Sequence, residues 1–346
     1  MKWIRRAAWL AALAMAVTHS HAEATIKLRV HHLMSARSAV HTGIIEPWCE
    51  RIQRDSQGRM ACEIYPAMQL GGTPNQLFDQ VKDGVADVVW TLPGYSRGRF
   101  SKLEVFELPF MMTSAQATSK AAWDYAAAHA QDELAGVKPL AVHTHEPGTI
   151  YTRSRAVTQQ ADLKGLKLRA PTYWTGRLLA MLGATPVGMP LPNVTEALSR
   201  GVIDGCLLAY SGASSVRLQD LVKDVNQPQI GRDGKGLYTA VFLMAMNPAK
   251  YAALPPDLQA VIDRNSGREW SAEAAAVLVA EGQRVKALFE AKPDMTMHDI
   301  SPDELARWES MFDRLDAEWV LDMNKRGFDG QALISDARRL IEEASR

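Results

Sequence analysis

The sequence predicts an α/β protein of two similar lobes, each built on a largely parallel sheet, followed by a long helical C-terminal region. Three observations carry this. Short apolar runs alternate with segments of helical periodicity across the first two-thirds of the chain. A four-residue device, Gly84-Val85-Ala86-Asp87, returns as Gly201-Val202-Ile203-Asp204, each time ending a helix and opening a strand. From Pro255 to Arg346 apolar residues recur every three or four positions and no strand signal interrupts them.

The elements follow in order. Ile26-Lys27-Leu28-Arg29-Val30 is the first strand, and a helix from about Val40 to Asp55 stops near Gly58. Ala61 to Tyr65 forms a second strand. Thr73-Pro74-Asn75-Gln76 then starts a helix: threonine caps, proline suits the first turn and glutamine completes a capping box. That helix ends at Gly84, and Val85 to Thr91 reads as a buried strand. A helix from Ser114 to about Leu134 precedes a strand from Val137 to His143, and Leu166 to Arg169 enters a second sheet. Val194 to Arg200 is helical, stopped by Gly201.

The chain has 346 residues, 47% of them hydrophobic and 23% charged, which excludes a disordered protein and suggests about two domains. Its 39 cations balance 39 acids, so it lacks the basic footprint of a nucleic-acid binder. Lys2, Arg5 and Arg6, the apolar run Ala7–Val17, about half the length of a membrane span, and the small-x-small ending Ser20-His21-Ala22 make residues 1–22 an export signal. Without it, 36 cations face 39 acids, a net −3. Export leads to an oxidising compartment, where Cys49 and Cys62 can pair and one thiol is left over.

Two motifs suggest other chemistry. Gly94-Tyr95-Ser96-Arg97-Gly98 matches the G-x-S-x-G nucleophile elbow, so a secreted serine hydrolase using Ser96 is one alternative. A strand precedes it, but no convincing helix follows, which favours a plain glycine-rich turn. His31, His32, His41, His143, His145 and Glu146 offer metal-ligand atoms without a familiar zinc spacing, so buried, hydrogen-bonded histidines are the simpler reading. No metal and no cofactor is expected.

Five segments closely resemble, in order, the solute-binding proteins of TRAP (tripartite ATP-independent periplasmic) transporters, the DctP-like family. They are Tyr65-Pro66-Ala67-Met68-Gln69-Leu70-Gly71-Gly72, Phe106-Glu107-Leu108-Pro109-Phe110, Asp162 to Pro171 (DLKGLKLRAP), Gly201 to Gly205 and Leu254 to Gln259. The resemblance implies a two-lobed periplasmic-binding-protein fold of the Venus-flytrap type. Lobe I would take 25–147 plus 237–275, and lobe II 148–236 plus 276–346. It also implies a monomeric periplasmic receptor, not an enzyme, that closes on an organic acid and delivers it to sodium-coupled membrane subunits.

The family's carboxylate-binding arginine falls on Arg169, and His32 falls where the family often places a polar contact. A guanidinium fits because its planar fork donates two parallel hydrogen bonds and keeps its charge. Ligands in open α/β sheets lie beyond the carboxyl ends of strands. That geometry adds Trp90, Tyr95, Trp174, Tyr210 and Tyr238 as candidate ligand contacts. The family's sialic-acid receptors carry a second, upstream arginine where this chain reads Thr149-Ile150-Tyr151, and a polar run common after Asp-Gly is here Cys206-Leu207-Leu208. A second ligand carboxylate would then be desolvated without a partner. A monocarboxylate is therefore expected. A C4-dicarboxylate is the alternative, with Arg153 or a histidine holding the second charge.

Overall fold

The computed structural model describes residues 24–228 and 235–346; the export signal expected over 1–22 lies outside them. The first lobe begins with β1 (Ile26–His32), α1 (Glu46–Asp55), β2 (Met60–Tyr65), α2 (Leu77–Lys82) and β3 (Val88–Thr91). It continues with α3 (Ala115–His129) and β4 (Lys138–His143). The chain crosses to the second lobe for β5 (Thr149–Thr152), β6 (Lys167–Ala170), α4 (Tyr173–Met181), β7 (Thr185–Gly188) and α5 (Val194–Ser199). There follow β8 (Gly205–Leu208), α6 (Tyr210–Ala213) and β9 (Asp224–Pro228). It returns as β10 (Phe242–Met246), α7 (Pro248–Ala252), α8 (Pro256–Arg264) and the long α9 (Arg268–Glu290), then closes with β11 (Thr296–Ile300), α10 (Pro302–Lys325) and α11 (Gly330–Ser345).

The sheets run β2-β1-β3-β10-β4 and β11-β9-β5-β8-β6-β7. In each, every strand is parallel except one, and that one is the first strand laid down after the chain crosses between lobes: β5 in the second sheet, β10 in the first. The two Gly-Val-x-Asp turns are one device. Gly84 and Gly201 hold φ of +77° and +69°, the left-handed region a glycine enters without cost. The amides of Asp87 and Asp204 donate to the carbonyls of Arg29 and Lys167, at 2.9 and 2.7 Å. Their carboxylates accept from the amides of the same two residues, each at 2.8 Å. Each aspartate thus bolts a helix end to the neighbouring strand, at the middle of β1 and at the start of β6. For that reason Val85 and Val202 lie exposed in the turns, and β3 and β8 begin only after the aspartates.

Other expectations hold in detail. Thr73 and Gln76 form the capping box ahead of α2, and the Ser114 hydroxyl caps α3 by accepting from the Ala117 amide at 3.1 Å. A disulfide joins Cys49 of α1 to Cys62 of β2. The third thiol, Cys206, is buried, and burial pushes it up to about 12.

The helical tail needs one correction: β11 interrupts it, pairing parallel with β9 from Thr296↔Asp224 to Ile300↔Pro228. Only Ile300 of this edge strand is buried, so backbone pairing defines it and side-chain periodicity does not. The C-terminal helix α11, expected with the second lobe, packs on α3 of the first. No helix among the described residues is long and apolar enough to cross a membrane.

Candidate ligand-binding site

The lobes are joined where two crossing segments meet. The Gly148 amide donates to the Tyr238 carbonyl at 3.0 Å, and a Cβ on Gly148 would lie 1.7 Å from the Tyr238 ring, so only glycine permits the crossing. Beside it, the Thr239 hydroxyl accepts from the His145 amide at 3.1 Å and donates to its carbonyl at 2.9 Å. The carboxyl ends of β1, β3, β4, β6 and β8 converge on this crossing.

A cavity lies there, between the lobes. Its volume is about 50 Å³ counted at water centres. That is room for roughly three to five waters, or about 100–150 Å³ of liquid, the bulk of one small organic acid. Its wall is apolar: Leu33, Met34, Trp90, Leu92 and Phe242 from the first lobe, and Leu191 and Leu208 from the second. Arg169, Tyr95, Tyr238, His145 and Ser211 supply its polar atoms.

Arg169, one residue before the end of β6, is 1% exposed. Its Nε donates to the Met189 carbonyl at 3.0 Å and its Nη1 to the Leu207 carbonyl at 3.1 Å. A guanidinium has five N–H donors, so three remain. Among the described residues no carboxylate pairs with it. A buried charge offset only by carbonyl dipoles is costly, by several kcal/mol unless an anion arrives.

The opposite wall is aromatic. Trp90 pairs with Met244 across β3 and β10, which makes Phe242 its diagonal neighbour on the same face; the two rings stack with centroids 4.6 Å apart. The Trp90 Nε1–H donates to His143 Nε2 at 2.9 Å. An indole can only donate, so His143 carries its proton on Nδ1, toward the Thr144 carbonyl. His145 is held likewise: Nε2 accepts the Ala240 amide and Nδ1 faces the Glu146 carbonyl. Burial lowers both rings to about 4, so they stay neutral. Their ring nitrogens are committed to protein partners, and neither adds charge to the cavity.

Of the seven residues expected at the site, Arg169, Trp90, Tyr95 and Tyr238 line the cavity. The other three sit outside it, each bonded to a partner elsewhere. His32 accepts the Met34 amide on Nδ1 and pairs with His41 through Nε2 at 2.9 Å, bracing the cavity wall from behind. The Trp174 indole donates to Glu104 at 3.1 Å, and the Tyr210 hydroxyl donates to Gln227 at 3.0 Å. Phe242, Leu33, Met34 and Leu191 were absent from the expected set. Phe242 was legible only as the diagonal partner of Trp90, which requires the β3–β10 register.

The alternatives fare differently. The Ser96 hydroxyl donates to the Asn75 carbonyl at 3.3 Å, with no histidine bonded to it. No cluster of three or more metal-ligating side chains occurs among the described residues. Arg153, the cation considered for a second carboxylate, lies at the far end of the second sheet with Arg155, Lys223 and Asp204.

The two lobes thus put a buried, unpaired guanidinium on one side of the cavity and an apolar wall on the other. The family model of the bacterial extracellular solute-binding proteins, family 7, matches residues 30–321, and the chain belongs to that family, as a DctP-like TRAP solute-binding protein. It is similar to a solved TRAP solute-binding protein of Rhodoferax ferrireducens T118, in complex with copurified benzoate. The two are 43% identical over 93% of this chain and 99% of that one, with a TM-score of 0.90. It is 40% identical to a marine-metagenome TRAP solute-binding protein specific for aromatic acid ligands, solved with 3-hydroxybenzoate, over 93% of this chain and 100% of that one (TM-score 0.90). A Bordetella bronchiseptica receptor with bound (R)- and (S)-mandelate is 26% identical, over 92% and 99%, with a TM-score of 0.84.

Proposed function

We propose that this protein is the periplasmic receptor of a TRAP transporter for an aromatic monocarboxylate. The ligand's carboxylate sits on the free N–H groups of Arg169, and its ring lies in the space bounded by Trp90, Phe242, Leu33 and Leu208. Closure of the lobes carries the ligand to sodium-coupled membrane subunits. The observation that supports this most is the buried guanidinium of Arg169, unpaired among the described residues and facing a cavity whose other walls are apolar. The cavity has room for about one ring with one carboxyl group. Three similar receptors are solved with benzoate, 3-hydroxybenzoate and mandelate, each a single ring bearing one acid. A C4-dicarboxylate would bring a second charge into a cavity where both neighbouring histidines are neutral and Arg153 is out of reach.

A thermal-shift titration tests the reading. Benzoate or 3-hydroxybenzoate at ~100 Kd adds roughly 2.7 kcal/mol to stability. Succinate at the same concentration gives a smaller shift. Arg169→Ala abolishes the aromatic-acid shift while the ligand-free protein stays folded. Stronger stabilisation by succinate than by benzoate would sink the aromatic reading.

A further inference from the structure

Beside the cavity the closed lobes meet along a seam of polar contacts that does not include the ligand anchor. The Leu191 amide of the second lobe donates to the Tyr95 hydroxyl of the first at 3.0 Å. The Arg97 guanidinium of the first lobe lies 4.1 Å from the Tyr173 ring of the second. Between them, the short helical turn Leu103–Glu107 presents two carboxyl groups to the N-terminus of α4. Glu104 accepts from the Trp174 indole at 3.1 Å. Glu107 accepts from the Val241 amide of the returning chain and lies against Thr172. The residues are 4% and 1% exposed, and each keeps one buried oxygen, Glu104 Oε1 and Glu107 Oε2, with no hydrogen-bond partner among the described residues.

An ionised carboxylate in that setting is expensive, because its charge loses water and gains no cation. The surrounding charges leave both carboxyls unpaired: Arg97, Lys325 and Arg326 share the cleft outside Glu104 with Glu318 and Asp322, and of these cations Arg326 eases the Glu104 charge less than burial opposes it. Glu133, whose carboxylate is held by the amides of Lys102 and Leu103, adds a further acid beneath the turn. Above it, Arg326, the residue that caps the C-terminus of α10, is engaged by Asp322 and the Gly98 carbonyl, and Arg97 lies over Tyr173. Among the described residues neither Glu104 nor Glu107 forms an ion pair. A protonated carboxyl removes the larger of the two costs, the buried charge.

We infer that Glu104 and Glu107 are positioning residues of lobe closure that work in their protonated form, so that capture of the ligand takes protons from solution. The inference rests on the closing-receptor reading above. Burial, and for Glu104 the nearby Glu107, pushes the pair up, to about 8 for Glu104 and about 7 for Glu107. Opening the seam returns them to water and toward the ordinary glutamate range near 4.5. The raised closed-state values mean that closure is helped fully below that range. The help is lost as pH rises through about 7 to 8. The two groups titrate as a pair, since each senses the other's charge.

The test uses benzoate and the full mature protein. Titration calorimetry at pH 7 in buffers of differing ionisation enthalpy reads proton uptake directly; roughly one proton per benzoate is expected. Affinity falls by roughly several hundredfold between pH 6 and pH 8.5, as linkage requires of two groups raised from about 4.5 to about 8 and about 7, and over that range benzoate itself stays ionised. The double variant Glu104→Gln, Glu107→Gln keeps an accepting oxygen for Trp174 and Val241. It takes up no proton, binds with pH-independent affinity and exceeds the wild type at pH 8.5. A merely structural role predicts the opposite at high pH, a variant equal to or weaker than wild type. Binding without proton uptake in the wild type overturns the inference, and so does uptake that persists in the double variant. If benzoate binds neither protein, the aromatic-acid reading has failed, and the same calorimetry is run with succinate, the ligand of the alternative reading. Proton uptake that is larger in the wild type than in the double variant then supports the inference, and equal uptake in the two overturns it.

Discussion

The two lobes use the same strand position for opposite purposes. In both, an aspartate two residues short of the position fixes the register: Asp87 bonds Arg29 in the first lobe and Asp204 bonds Lys167 in the second. Two residues along β1 lies His31, paired with Val89; two residues along β6 lies Arg169, paired with Cys206. Both side chains are buried. His31 is satisfied within its own lobe, by the Gln80 side chain on Nδ1 and the Leu70 amide on Nε2, and burial lowers its pKa. Arg169 bonds only two carbonyls and keeps a permanent charge. One position along the partner strands, Trp90 of the first lobe corresponds to Leu207 of the second. One lobe therefore supplies a neutral aromatic wall and the other a single cation, on one scaffold used twice. A ligand with an apolar ring at one end and an anion at the other matches that division.

The largest effect should come from blunting the cation. Arg169→Lys keeps the charge but loses the planar fork and both carbonyl bonds, and benzoate affinity should fall about a hundredfold, within the ~2–5 kcal/mol seen when a buried charge pair is truncated. Calorimetric titration measures it; a loss under threefold would mean that charge alone suffices. Next is Trp90→Leu, which gives the first lobe the residue the second already has. It removes the stack on Phe242 and leaves His143 Nε2 without its donor. Stability should drop by about 2–4 kcal/mol in urea unfolding, with weaker benzoate binding beside it. An unchanged unfolding midpoint would show that the wall is not packed as described.

Much of the fold was legible because its signals are local. The Gly-Val-x-Asp turns, the Thr73–Gln76 box and the Ser114 cap involve residues within a few positions of one another, and local chemistry is what a sequence displays. The strand β11 was not, since its only buried side chain is Ile300 and its partner β9 lies far back in the chain. The site divides on the same principle. Residues at strand ends could be placed near a cavity, yet which of them faced it depended on partners 17 to 70 positions away, as Gln227 draws Tyr210 and Glu104 draws Trp174. Arg169 was singled out by resemblance; its position at a strand end, without the family motif, reads more readily as a surface ion pair. Glu107 lay in a quoted motif, but nothing local in Phe106-Glu107-Leu108 shows that its carboxyl meets another lobe.

The smallest effect tests the equivalence of the lobes itself. Asp87 and Asp204 make the same backbone bonds, but Asp87 also accepts from the Arg29 guanidinium, at 3.2 Å from Nε and 3.1 Å from Nη2. Among the described residues no such cation is bonded to Asp204. An asparagine at either site keeps an oxygen for the backbone amide and loses the charge. Asp204→Asn should therefore change stability by no more than ~0.5 kcal/mol. Asp87→Asn gives up a charge-assisted pair, and because Arg29 is 41% exposed its loss is screened to about 1 kcal/mol. Urea unfolding of the two single variants, compared at equal ionic strength, measures the gap. Equal costs would mean that the Arg29 pair contributes nothing and that the two turns are energetically as well as geometrically the same; a costlier Asp204→Asn would break the correspondence on which the His31–Arg169 comparison stands.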